Sequence, residues 1–158
     1  MIQHPFPPLY DEKARVLILG SFPSVKSREQ QFFYGHPQNR FWRVTAAVFG
    51  CAVPVSIEEK TCFLHENGIA LWDVIASCDI VGSSDTSIRN VTPNDLSPIF
   101  RAAKIERIFT NGATAKKYYD RYTLPLIGRE AICLPSTSPA NAAWSVERLA
   151  EAWRIVAE

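Results

Sequence analysis

The residues with the most chemistry in this chain fall in three short segments. The first, Gly20-Ser21-Phe22-Pro23-Ser24, follows the apolar run Val16-Leu17-Ile18-Leu19. Glycine lets the backbone pass close to a ligand, proline fixes the turn, and the serines offer hydroxyls and N–H groups. The second is Tyr34-Gly35-His36-Pro37-Gln38-Asn39-Arg40-Phe41-Trp42. The Asn39 amide can both accept and donate, so it can hold a water without acting as a base, but it is equally well placed to cap a helix starting at Arg40-Phe41. Tyr34 can stack on a flat heterocycle or fill the core with Phe32 and Phe33. The third, Pro135-Ser136-Thr137-Ser138-Pro139-Ala140-Asn141, is a hydroxyl-rich loop between prolines. It suits a phosphate contact, or it is a plain connection. Asn111-Gly112 offers a further amide, with a tight turn as the ordinary reading. Asp73 ends a strand and is read as a partner of a neighbouring helix terminus rather than as a catalyst.

These segments need elements to hold them. Four short apolar, β-leaning runs stand out at residues 15–19, 70–75, 107–110 and 131–134. Helical patterns lie between them. Ser56 with Glu59 forms a capping-box pattern, Asn94 or Asp95 can cap 96–103, residues 113–122 place tyrosines on neighbouring turns, and Trp144, Leu149, Trp153 and Val156 share one face. Strands alternating with helices predict an α/β fold, a three-layer α/β/α sandwich around a central, mainly parallel four-stranded sheet. In such a sheet, ligands gather at the carboxyl ends of the strands. All three segments leave strands at that edge.

Length and composition narrow the rest. A chain of 158 residues, 47% hydrophobic and 21% charged, fits a single domain over 1–158. It has no apolar run long enough to cross a bilayer and no secretory signal, so a cytoplasmic location without membrane contact is expected. Cysteines at 51, 62, 78 and 133 form no Cys-x-x-Cys, and His4, His36 and His65 form no ligand pattern, so no metal is expected. Neither a G-x-G-x-x-G nor a Walker loop is present, which argues against a phosphate-bearing cofactor, and none is expected. Seventeen basic against sixteen acidic residues leave a net charge of +1. Nucleic-acid binding would then depend on local clusters such as Lys26, Arg28, Arg40 and Arg43, or Lys116, Lys117 and Arg121.

In this order the three loops resemble the uracil-DNA glycosylase superfamily, most nearly its hypoxanthine-DNA (deoxyinosine) glycosylase branch. Gly20 to Ser24 resembles the water-activating loop, His36 to Trp42 the segment shared with mismatch-specific glycosylases, and Leu134 to Asn141 the intercalation loop. Phe22 stands where uracil-specific enzymes carry aspartate, and Leu134 where they carry histidine, which argues against strong uracil excision. The resemblance implies a monofunctional base-excision enzyme that flips a deaminated base out of damaged DNA, cuts its N-glycosidic bond and leaves an abasic site. It implies Asn39 as the catalytic residue. It also implies a base pocket of Gly20, Ser21, Phe22, Tyr34 (stacked on the base) and Asn111, and DNA contacts from Pro23, Ser24, Ser136, Thr137 and Ser138. A monomer without an obligate protein partner is expected. Two alternatives stay open: a uracil or mixed deaminated-base glycosylase, and a damaged-DNA-binding module without chemistry.

Overall fold

The computed structural model describes residues 1–158. Its centre is a four-stranded parallel sheet in the order β3-β2-β6-β7. The strands are β2 (Val16–Gly20), β3 (Ile69–Asp73), β6 (Arg107–Asn111) and β7 (Ile132–Leu134). β2 and β3 are buried at every position, which is why both read as unbroken apolar runs rather than alternating ones. The register sets Gly20 opposite Asp73 and Asn111 opposite Leu134, so these four residues end their strands at one edge. From β2 the chain crosses to β3 on one side and later to β6 on the other. The crevice above that reversal is where an open sheet of this kind takes its ligand.

The helices that cover the sheet are α1 (Val25–Gln30), α2 (Phe41–Phe49), α3 (Ile57–Glu66), α4 (Ser97–Ala102), α5 (Ala113–Tyr118), α6 (Leu124–Ile127) and α7 (Val146–Trp153). α3 opens with the expected capping box, Ser56 with Glu59. The Asp95 carboxylate receives the Ser97 N–H at the start of α4. The 113–122 pattern is broken by a wide π-helical turn over Tyr119–Thr123 before α6 begins. α7 buries Leu149 and Trp153 against α2, where Trp153 meets Phe41 edge to face at 5.9 Å.

A second sheet was not legible. β4 (Ile75–Asp79) pairs antiparallel with both β1 (Ile2–Gln3) and β5 (Arg89–Pro93). The run expected as one strand over 70–75 is two: β3 stops at Asp73, and the chain passes through buried Val74 into the neighbouring sheet. This small sheet carries the amino terminus under the carboxyl edge of β3 and so brings His4 to Asp73.

Candidate active site

A cleft of about 540 Å³ opens at the carboxyl edge of the parallel sheet. That is ample for one flat heterocycle. Residues from all three sequence segments line it: Gly20 to Ser24, Tyr34, His36 and Asn39, and Thr137 to Ala140, together with Asp73 and Asn111.

The Asn39 side sits on a chain of hydrogen bonds that fixes each amide. The Thr137 N–H donates to Asn111 Oδ1 (3.0 Å), so Asn111 Nδ2 is the end that donates to Thr137 Oγ1 (3.0 Å). The Thr137 hydroxyl must therefore donate onward to Asn39 Oδ1 (2.8 Å), which also accepts the N–H of Phe41 (2.9 Å). Both lone pairs of the Asn39 carbonyl are used, and its NH₂ group keeps both hydrogens. The Asn39 oxygen thus holds the first N–H of α2 from one residue before the N-cap, Arg40, while its amide nitrogen remains a donor at the cleft. Asn111 keeps one N–H and one lone pair.

Tyr34 takes a left-handed backbone conformation (φ 51°) that non-glycine residues rarely adopt, held there by its carbonyl accepting from Trp42 Nε1 (3.2 Å). Its ring stacks on Phe41 at 4.1 Å and 12°, so at most one face is free for a base. The Tyr34 hydroxyl is buried without a partner. Burial, aided by the negative charge of Asp73 and opposed by the Asn111 amide, holds it well above its ordinary pKa. Phe22 is half-buried at the cleft, edge-on to the His4 ring (5.9 Å) and under the Arg28 guanidinium (5.7 Å).

Four of the expected DNA contacts have structural work of their own. Thr137 is completely buried and serves the amide chain. Ser136 does not line the cleft; its hydroxyl accepts the Ser138 N–H (3.1 Å) and its Cβ lies 3.0 Å from where a side chain on Gly112 would begin. Pro23 is buried, and the Ser24 hydroxyl caps α1 by accepting the Ser27 N–H (3.2 Å) while it donates to Ser27 Oγ (3.2 Å). Ser138 lines the cleft and keeps a free hydroxyl hydrogen, since its oxygen accepts from Ala140 N–H (3.1 Å). Nor are the basic clusters simply solvated. Arg40 donates to the carbonyls of Ser138 (2.8 Å), Asn141 (3.0 Å) and Trp144, which closes the proline loop on itself. Lys116 pairs with Asp120, and Lys26 with Glu29.

Asp73 was assigned to a helix terminus, and the structure corrects this: its Oδ2 accepts from His4 Nε2 at 2.7 Å. The two residues lie 69 positions apart, and nothing in the spacing announced the pair. Segment 83–86, with Ser83, Ser84, Asp85 and Thr86 at the mouth of the cleft, was also missed. Its run of hydroxyls was the available signal.

Comparison with known proteins agrees with this geometry. The model of the Uracil DNA glycosylase superfamily matches residues 7–157. A curated protein of Methanosarcina acetivorans named hypoxanthine DNA glycosylase is 37% identical over 158 residues, 99% of this chain and 98% of its own length. One of the same name from Methanosarcina barkeri is 33% identical over 86% of each chain. The solution NMR structure of a candidate uracil DNA glycosylase from M. acetivorans superposes with a TM-score of 0.81 at 34% identity, covering both chains in full. The chain belongs to the uracil-DNA glycosylase superfamily.

Proposed function

From that membership we propose that the protein is a monofunctional DNA repair glycosylase that excises deaminated bases, above all hypoxanthine from deoxyinosine, and leaves an abasic site. The reading draws on the two curated relatives named for hypoxanthine. The observation that carries it is the Asn39 NH₂ group, oriented by Thr137 and turned to a cleft of about 540 Å³. One domain over 1–158, acting as a monomer in the cytoplasm on damaged DNA, suffices for this chemistry.

The target base must first leave the duplex, at a cost of roughly a few kcal/mol that is smallest for a poorly paired base such as hypoxanthine. Phe22 and Tyr34 wall the pocket it enters. As the N-glycosidic bond breaks, its electron pair passes to the base and positive charge spreads over the sugar. Donors aimed at the developing negative charge contribute about 2.7–4 kcal/mol each in a site that excludes water. The Asn39 NH₂ and the spare N–H of Asn111 are such donors. A water whose oxygen receives an Asn39 N–H then adds to the sugar carbon and releases its proton to solvent, while the base takes one up. Because both Asn39 lone pairs are occupied, the amide positions this water and does not deprotonate it. No lysine lines the cleft, so the enzyme has no amine with which to form an imine on the sugar. The Ser138 hydroxyl at the cleft would meet the backbone by a neutral hydrogen bond, which suits a chain of net charge +1.

The test is alkali-revealed cleavage of duplexes bearing hypoxanthine, uracil or xanthine at one position, with free inosine as a control. Release from deoxyinosine duplexes, and none from inosine, is expected. Equal release of uracil would move the assignment to a mixed deaminated-base enzyme. Tight binding without abasic product would reduce the protein to a damage-binding module.

A further inference from the structure

The basic cluster on α5 lies outside the cleft, and the structure divides it. Lys116 pairs with Asp120, whose two oxygens it meets at 2.7 and 2.6 Å. Lys117 and Arg121 are exposed and meet no carboxylate. Each lies instead against the ring of the tyrosine that follows it. Lys117 Nζ is 5.3 Å from the centre of Tyr118, and Arg121 Cζ is 5.1 Å from that of Tyr122. The two rings stack on each other at 6.2 Å and 12°. Two cations and two phenols thus form a two-by-two array. The wide π-helical turn begins directly after Tyr118 and carries Arg121 and Tyr122; such turns recur at functional sites. The attraction of each ring for its cation restricts where the charge can go before any anion arrives.

The array starts at the cleft. Thr114 lies on the same face of α5, one turn before Lys117 and Tyr118. Its side chain stands beside the Asp85 carboxylate, and Asp85 and Thr86 line the cleft mouth. Arg89, the first residue of β5, is exposed, and the charges of both Arg89 and Asp85 are felt at the Tyr118 hydroxyl. One Arg89 nitrogen donates to the carbonyls of Thr86 (3.0 Å) and Ile88 (2.7 Å), and no carboxylate pairs with it. Three cations therefore outweigh one free acid along a strip that leaves the rim. Four residues of helix rise roughly 6 Å, so Lys117 and Arg121 stand about two phosphate steps of one DNA strand apart. The far end of the sheet differs. There Lys13, Arg15, Arg101 and Lys104 line a separate cleft together with Glu12 and Glu106, and none of these cations lies over a ring.

We infer that the array of Lys117, Tyr118, Arg121 and Tyr122, with Arg89, is a strip that holds the phosphates of duplex DNA on one flank of the extruded base. This rests on the reading above of DNA as the substrate. It supplies the electrostatic attraction that Arg40, Lys26 and Lys116, engaged within the fold, do not. Phosphate contacts carry no sequence information, so the strip holds undamaged duplex as well and keeps the enzyme on DNA between lesions.

Lys117→Gln with Arg121→Gln removes both charges and keeps most of each stem. Binding of an undamaged duplex is to be followed by fluorescence anisotropy from about 50 to 200 mM salt. The plot of log affinity against log salt should be shallower by about 2 in this double variant, roughly 1 per cation. Arg101→Gln with Lys104→Gln, the same charge change at the far end of the sheet, should leave the slope at its wild-type value. On deoxyinosine duplexes the loss should fall on KM. Trimming the duplex close to the lesion on one side should erase the difference between wild type and variant, and trimming the other side should preserve it. Tyr122→Leu keeps the charges but removes the ring beside Arg121, and should weaken binding by roughly 2–5-fold. A wild-type slope in the Lys117/Arg121 variant, an equal change in the Arg101/Lys104 variant, or a loss confined to single-stranded DNA would overturn the strip and leave the glycosylase reading standing. A wild type that binds duplex through the strip but releases no base would remove the glycosylase reading alone, and one that binds no duplex would remove both.

Discussion

On the Asn39 side of the cleft, Asn39, Thr137 and Asn111 are tied to one another and to the backbone. On the Asp73 side, a carboxylate oxygen and a tyrosine hydroxyl have no partner. Both sides are polar and largely buried, so the contrast is one of completion. A closed network fixes the direction of its outermost group, here the Asn39 NH₂, and a group that must act on a transient charge gains from arriving already aimed. An open network stores unmet hydrogen-bonding capacity, and a ligand that supplies the missing partners is favoured over one that does not. The first arrangement suits reaction, the second selection.

Removing the end of the closed network should have the largest effect. Asn39→Ala is expected to lower hypoxanthine release by about 10²–10³-fold in single-turnover assays. The lost cap should cost only ~1 kcal/mol, seen as a small drop in the thermal midpoint. Full activity in that variant would leave Asn39 as a helix cap alone. Thr137→Val comes next. It keeps the shape but removes the hydroxyl that orients Asn39 and receives Asn111, so stability should fall by about 1–3 kcal/mol. Activity should fall about tenfold, in kcat rather than KM, because the amide is present but no longer aimed. Thr137→Ser should restore both; a shift confined to KM would point to a DNA contact instead.

How far this contrast was legible follows from how local each feature is. β2 and β3 were visible because full burial writes itself as short apolar runs. β6, buried at its three middle positions, and β7, buried only at Leu134, still read as short β-leaning segments, and the ends of all four delivered the loops to one edge. Asn39, Tyr34 and Phe22 could be named because turn residues and aromatics crowd around them. The purpose of Thr137 could not be read, since its hydroxyl finds Asn39 across 98 residues. His4 was equally silent: its role depends on β1 joining β4, and that strand was hidden inside an apolar run which gives no sign of where the chain changes sheets. The folded core also hides its own titration. Burial raises Tyr119 to about 12, against a smaller opposing pull from Arg129, and raises Tyr34 as well. Unfolded tyrosines ionise near ~10, so above that pH the native state holds more protons than the unfolded one and stability must fall as pH rises. Chemical denaturation should show a midpoint that declines as pH rises above about 10, with a shallower decline in Tyr119→Phe.

The smallest effect provides the control. Ser56→Ala removes one half of the capping box on α3, away from both sides of the cleft. It should cost about 1 kcal/mol in stability and leave rate and base preference unchanged. A change in preference would mean that the two sides are coupled through the body of the sheet.

Arg40 spends its guanidinium on three carbonyls of the proline loop and meets no carboxylate. The loop at the rim of the cleft is thereby set before any DNA arrives. Little freedom is left for it to surrender on contact, so the encounter should proceed without a folding step of its own.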